Sequence, residues 1–147
     1  MSFKPVRTFL QDRLLEVDSD FEVHDDAFSL DNVGNNDFDK RFHIFYGNVN
    51  TTLDNQHTTN DLVNATVTLF FRGYRNATEA LDNSMDIANL YRINCLGISY
   101  LRGQDFIKRV VCNSIVAEPL DTNDNSIRIT LQFSINIIFS TATSLNC

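Results

Sequence analysis

The chain has 147 residues, a net charge of −7 and 43% hydrophobic residues. That length suits one domain with one sizeable core, and the hydrophobic share is too high for a wholly disordered polymer. The acidic balance argues against a grip on nucleic acid, which needs clustered Lys and Arg, and no apolar run approaches the ~20 residues of a membrane-spanning helix.

The opening residues Met1–Arg7 lack the apolar centre of a signal peptide, so a cytoplasmic setting is the expectation. Cys95, Cys112 and Cys147 are odd in number and widely spaced, which fits reduced thiols better than a disulfide framework or a zinc site. Asn50-Thr-Thr, Asn64-Ala-Thr and Asn76-Ala-Thr match the glycosylation pattern and, without a secretory signal, read as chance.

Pro5 suits the first turn of a helix. Val6, Phe9, Leu10, Leu14 and Val17 then recur at helical spacing, with Arg7, Gln11, Asp12 and Glu16 facing away, so a short amphipathic helix is expected there. From Asp18 to Asp39 the chain holds eight acids and no Lys or Arg. Phe21, Val23, Ala27, Phe28 and Leu30 are interspersed, which makes part of it strand, and Asp31–Asp37 reads as a turn. A calcium loop would need acids at alternate positions and a closing Glu, and this segment has neither.

Phe42, Ile44 and Tyr46 alternate with His43 and Phe45 in a strand that Gly47 ends or bends. The polar run Asn50–Asp61 reads as a long exposed loop, and Leu62–Phe71 as the next strand, with Val67, Leu69 and Phe71 on one parity. Phe70 implies that the other face is partly covered too. Asn76 and Glu79 have capping-box spacing before a helix that runs to about Asn94. Its apolar side holds Ala77, Ala80, Leu81, Ser84, Met85, Ala88 and Tyr91, widened by Ile87 and Leu90, with Asp82 and Asp86 in water. Phe106–Glu118 is apolar on both parities, as in a central strand, and Pro119–Asn125 is a turn.

The strongest signal lies at Ser126–Asn136. Ile127, Ile129, Leu131, Phe133, Ile135 and Ile137 share one parity, and Arg128, Thr130, Gln132, Ser134 and Asn136 the other. Alternate side chains of a strand point to opposite faces, so the register is tightly fixed. The polar face is mostly amide and hydroxyl. It is either an ordinary wet face or one packed against a neighbouring subunit or a channel. The whole order predicts an α+β fold: one mostly antiparallel or mixed sheet of about five strands with two helices packed on it, a single domain over 1–147.

Catalytic signatures are scarce. His24, Asp25, Asp26 and His43 are the only candidates for a carboxylate–imidazole metal site, and GxSxG, P-loop and GxGxxG patterns are absent. The expectation is a non-enzyme without cofactor or metal. Arg72, Arg75 and Arg128 are expected to pair with acids within the chain or across an interface.

From the opening helix Val6–Val17, through the strands to Phe71 and the helix from Asn76, to the closing hairpin ending Ile135-Asn-Ile-Ile-Phe139, the chain resembles the tail terminator proteins of long-tailed bacteriophages. The resemblance covers nearly the whole length as a pattern of elements. It implies a hexameric ring that ends the tail tube, meets the tail tube protein and a neck or head-completion protein, and lets DNA pass through its lumen without specific binding. It also implies a place in the virion after assembly in the host cytoplasm. Candidate subunit contacts are Arg72, Arg75, Arg128, Gln132, Asn136, Asp25 and Asp26; candidate contacts to tube or neck are Asp54, Asn55, Gln56 and His57. The alternatives are another neck or tube component, a small metal-dependent hydrolase, and a monomeric binding module.

Overall fold

The computed structural model describes residues 4–23, 39–55, 58–72, 76–96, 107–121 and 125–140. In chain order the elements are α1 (Lys4–Val17), β1 (Glu22–Val23), β2 (Arg41–Asn55), β3 (Thr58–Phe71), α2 (Ala77–Cys95), β4 (Ile107–Asp121) and β5 (Ser126–Ser140). The five strands form one sheet in the order β1-β2-β3-β5-β4. Only β1 runs parallel to its neighbour; the β2–β3, β3–β5 and β4–β5 pairs are antiparallel. This is the α+β fold that the sequence predicts.

β5 lies inside the sheet between β3 and β4, and all six residues of its apolar parity are buried. Opposite them on β3 stand Val63, Ala65, Val67, Leu69 and Phe71, also buried, in an unshifted antiparallel register. Both helices join the same core: α1 through Val6, Phe9, Leu10 and Leu14, α2 through Ala80, Ala88, Tyr91 and Cys95. Each fully buried Leu, Ile or Phe stabilises the fold by about 1.5–3 kcal/mol relative to exposure, so the dry face of β5 dominates the folding drive. The Tyr91 ring lies edge-on to Phe133 at 5.7 Å, and its hydroxyl donates to the Leu10 carbonyl at 2.9 Å, tying sheet, α2 and α1 at one point. Burial raises the Tyr91 phenol well above its ordinary pKa and pushes the Cys95 thiol up to about 12.

Asn76 caps α2 by accepting the Glu79 backbone N–H at 2.8 Å. The stripe that α2 buries is narrower than expected. Leu81 and Leu90 are exposed, because small residues at 80, 84 and 88 bring the helix close to the sheet along a single line.

Two expectations about strands are overturned. Asn50–Asp61 is no loop: Asn50–Asn55 belongs to β2 and Thr58–Asp61 to β3, and the two pair as a continuing hairpin. Asn and Thr made the segment look too hydrophilic to pack, but backbone pairing needs no apolar side chain, and β3 is held on its far side by β5. Gly47 does bend β2: the register shifts between Tyr46 and Val49. β4, in turn, is an edge strand rather than a central one. It looks apolar on both parities because bulges at Lys108 and Asn113 switch the parity that faces the core, from Val110 and Cys112 to Ile115 and Ala117. β4 also continues through Pro119 to Asp121, past the expected turn.

Candidate functional site: the open face of the sheet

Both helices lie over the apolar parity of β5, and among the described residues no helix covers the other face. The register puts its side chains in rows. Arg41, Phe70, Arg128 and Glu118 form one; His43, Thr68, Thr130 and Val116 the next; then Phe45, Thr66, Gln132 and Ser114. Further along, Asn64 stands opposite Ser134, and Asn50, Leu62, Asn136 and Arg109 share a row.

Hydrogen bonds between neutral groups link neighbouring strands across this face. Thr66 Oγ1 donates to Gln132 Oε1 at 2.9 Å. Asn113 Nδ2 donates to Ser134 Oγ at 2.6 Å, and Ser134 Oγ in turn donates to Asn64 Oδ1 at 3.3 Å, so one chain of bonds crosses β4, β5 and β3. Asn136 Oδ1 is shielded from solvent and has no hydrogen-bond partner among the described residues. Apolar groups are set into the same face: Phe45 is 60% exposed, with Leu62 and Val116 also exposed. Phe70 is instead fully covered, and the Arg72 guanidinium lies 5.2 Å from its ring centre, which accounts for the apolar residue on the wet parity of β3.

Two ion pairs on this face lie within the chain, and Arg109 is exposed. Arg128 pairs with Glu118 at 2.5 Å, and Arg41 with Glu22 at 2.6 Å. The described acids of the Asp18–Asp39 stretch behave likewise. Asp18 and Asp20 hold Lys40 at 2.9 and 3.8 Å, and the hydrogen bond to Asp18 is the main cause of a raised Lys40 pKa. Asp39 accepts the Arg72 backbone N–H at 2.9 Å. Surface pairs like these contribute about 0–1 kcal/mol each.

Of the residues singled out from sequence, Gln132 and Asn136 lie on the open face, and Arg128 lies there already paired. Arg72 sits at the end of β3 over Phe70. Arg75, Asp25 and Asp26 are outside the described residues, as are Gln56 and His57. Asp54 and Asn55 belong to the last residues of β2 rather than to a loop. His43 lies in β2 opposite Thr68, whereas His24 is outside the described residues, and among those described no three His, Cys, Asp or Glu residues are grouped to hold a metal ion. No described helix is long and apolar enough to cross a membrane.

Asn64, Thr66 and Asn113 were missed from sequence as members of this face. For the first two the signal was present: Asn64, Thr66 and Thr68 alternate with Val63, Ala65 and Val67, which repeats the β5 pattern. Asn113 had none, because it sits in a bulge. Compared with known proteins, the chain matches no protein-family model and no curated protein sequence.

Proposed function

We propose that this chain is a non-enzymatic virion assembly protein of the tail terminator kind, forming a ring, hexameric by resemblance, that closes a phage tail tube and joins it to the neck. The observation that carries the reading is the open face: amides and hydroxyls, several of them bonded to one another across β3, β5 and β4, with Phe45, Leu62 and Val116 exposed among them. Where these groups already bond one another they cost little to desolvate against a complementary polar surface, and the inset apolar groups gain from burial. A ring needs two different complementary faces on each subunit, and this face supplies one. The acidic character of the chain (net −7) suits a lumen that repels DNA and lets it slide past.

Particle mass in solution, with electron micrographs of the same sample, tests the reading. Closed rings are expected, with Gln132→Lys lowering the mass to that of smaller species by forcing a charge into the face. Long polymers would mark a tube subunit instead. A single-chain particle would sink the ring, and a stoichiometric bound ion would favour the metal-dependent alternative built on His24, Asp25, Asp26 and His43.

A further inference from the structure

The helices that cover the dry face of the sheet have an outer surface of their own. On α2 the core line runs through Ala80, Ser84, Ala88, Tyr91 and Cys95. Asp82, Asp86, Asn89 and Ile93 recur at helical spacing on the opposite side, and all four are exposed. Leu90 lies beside Ile93, and the two are 56% and 53% exposed. With Val17 of α1 they line an open groove between the helices, which Glu16 and Asn94 also border.

Charge divides between the two sides of the molecule. Every described charged side chain that is exposed on the two helices is an acid: Asp12, Glu16, Asp82 and Asp86. The open face of the sheet carries Arg41, Arg109 and Arg128 against Glu22 and Glu118, three cations to two acids among the described side chains. In a chain of net charge −7, the open face is therefore cation-rich and the helix side is acidic.

We infer that the outer side of the helices, centred on Leu90 and Ile93, is the second subunit face, and that it docks on the open sheet face of another copy of this chain. The inference rests on the assembly reading above and names the surface that meets the open face. The choice of occupant follows from complementarity. Two helix sides brought together would set four acids against four, and like charges opposed across an interface are costly. A helix side against an open face instead sets acids toward a cation excess. It also places Phe45, 60% exposed, against a groove lined by Val17, Leu90 and Ile93, so apolar surface is buried on both partners. The two surfaces lie on opposite sides of the sheet, so the contact runs head to tail and each subunit uses both.

Sedimentation of the wild type, of Ile93→Lys, of Gln132→Lys and of an equimolar mixture of the two variants tests this. Ile93→Lys blocks the helix side and Gln132→Lys the sheet side. Both positions are exposed, and circular dichroism equal to that of the wild type shows that the variants fold. Asp86→Lys, on the same side of α2, takes the place of Ile93→Lys if that variant loses structure. Each variant alone is expected to sediment as one chain. The mixture is expected to give particles of two chains, because each pair keeps one intact contact and cannot grow. Folded variants that stay single when mixed overturn the inference. Dimers of Ile93→Lys alone would mean that open faces pair with each other, and dimers of Gln132→Lys alone that helix sides do; either overturns it as well. A closed wild-type ring that Ile93→Lys leaves intact would keep the ring and remove the helix side from it. Open wild-type polymers with a two-chain mixture would do the reverse, and a single-chain wild type overturns both.

Discussion

On one face of β5, six apolar side chains lie at most 5% exposed beneath two helices; on the other, Gln132 and Ser134 bond neutral groups of β3 and β4, with Thr130 and Asn136 on the same parity, and no described helix covers them. The same fifteen residues therefore serve two purposes. The covered face gains its free energy from water leaving apolar surface, which makes it intolerant of lost volume. Gln132 and Ser134 on the open face already have partners within the sheet, so losing one of them changes folding little and association much. What separates a folding surface from a binding surface here is chemistry at alternate positions of a single strand.

Phe133→Ala breaks this contrast most severely. It removes the ring against which Tyr91 packs, and the unfolding free energy is expected to fall by about 3–5 kcal/mol in urea titration. A loss below ~1 kcal/mol would mean that the core does not depend on that contact.

Alkaline pH acts on the covered side next. The Cys95 thiol, raised to about 12 chiefly by burial, stays protonated in the folded state while the unfolded chain loses its proton at the ordinary thiol pKa. Tyr91 and Lys40 are raised as well, the first by burial and the second by its bond to Asp18. All three contributions are complete below the unfolded pKa values and decline as pH rises toward the folded ones. Stability is therefore expected to be flat up to about pH 8.5. Above that it falls, and for Cys95 the slope is about 1.4 kcal/mol per pH unit. Cys95→Val should flatten the slope between about pH 9 and 11; an unchanged slope would show that the thiol has no part in it.

Ser134→Ala, on the open face, has the smallest expected effect. It cuts the bonds to Asn113 and Asn64, yet water can replace them, so the unfolding free energy from urea titration should fall by less than ~0.5 kcal/mol. A loss above ~1.5 kcal/mol would make this lattice a folding element and erase the distinction between the faces.

The strand from Ser126 was legible because its period of two is unbroken, and so was α2, where Asn76 and the spaced alanines announced the start and the line of contact. The outer hairpin was not. Its Asn and Thr side chains carry little hydropathic signal, and what makes Asn50–Asn55 a strand is a partner in β3 that local composition does not reveal. The position of β4 was hidden for the opposite reason, since bulges placed apolar residues on both parities and imitated a buried strand.

The alternation of side chains along β5 determined by itself which groups would be dry, because a slip of one residue would turn all six into water. The order of the strands, the bulged edge of β4, and the knitting of Asn113, Ser134 and Asn64 were decided only in three dimensions. They depend on which strands meet, and pairing between distant segments follows from how the whole core closes rather than from any local run of residues.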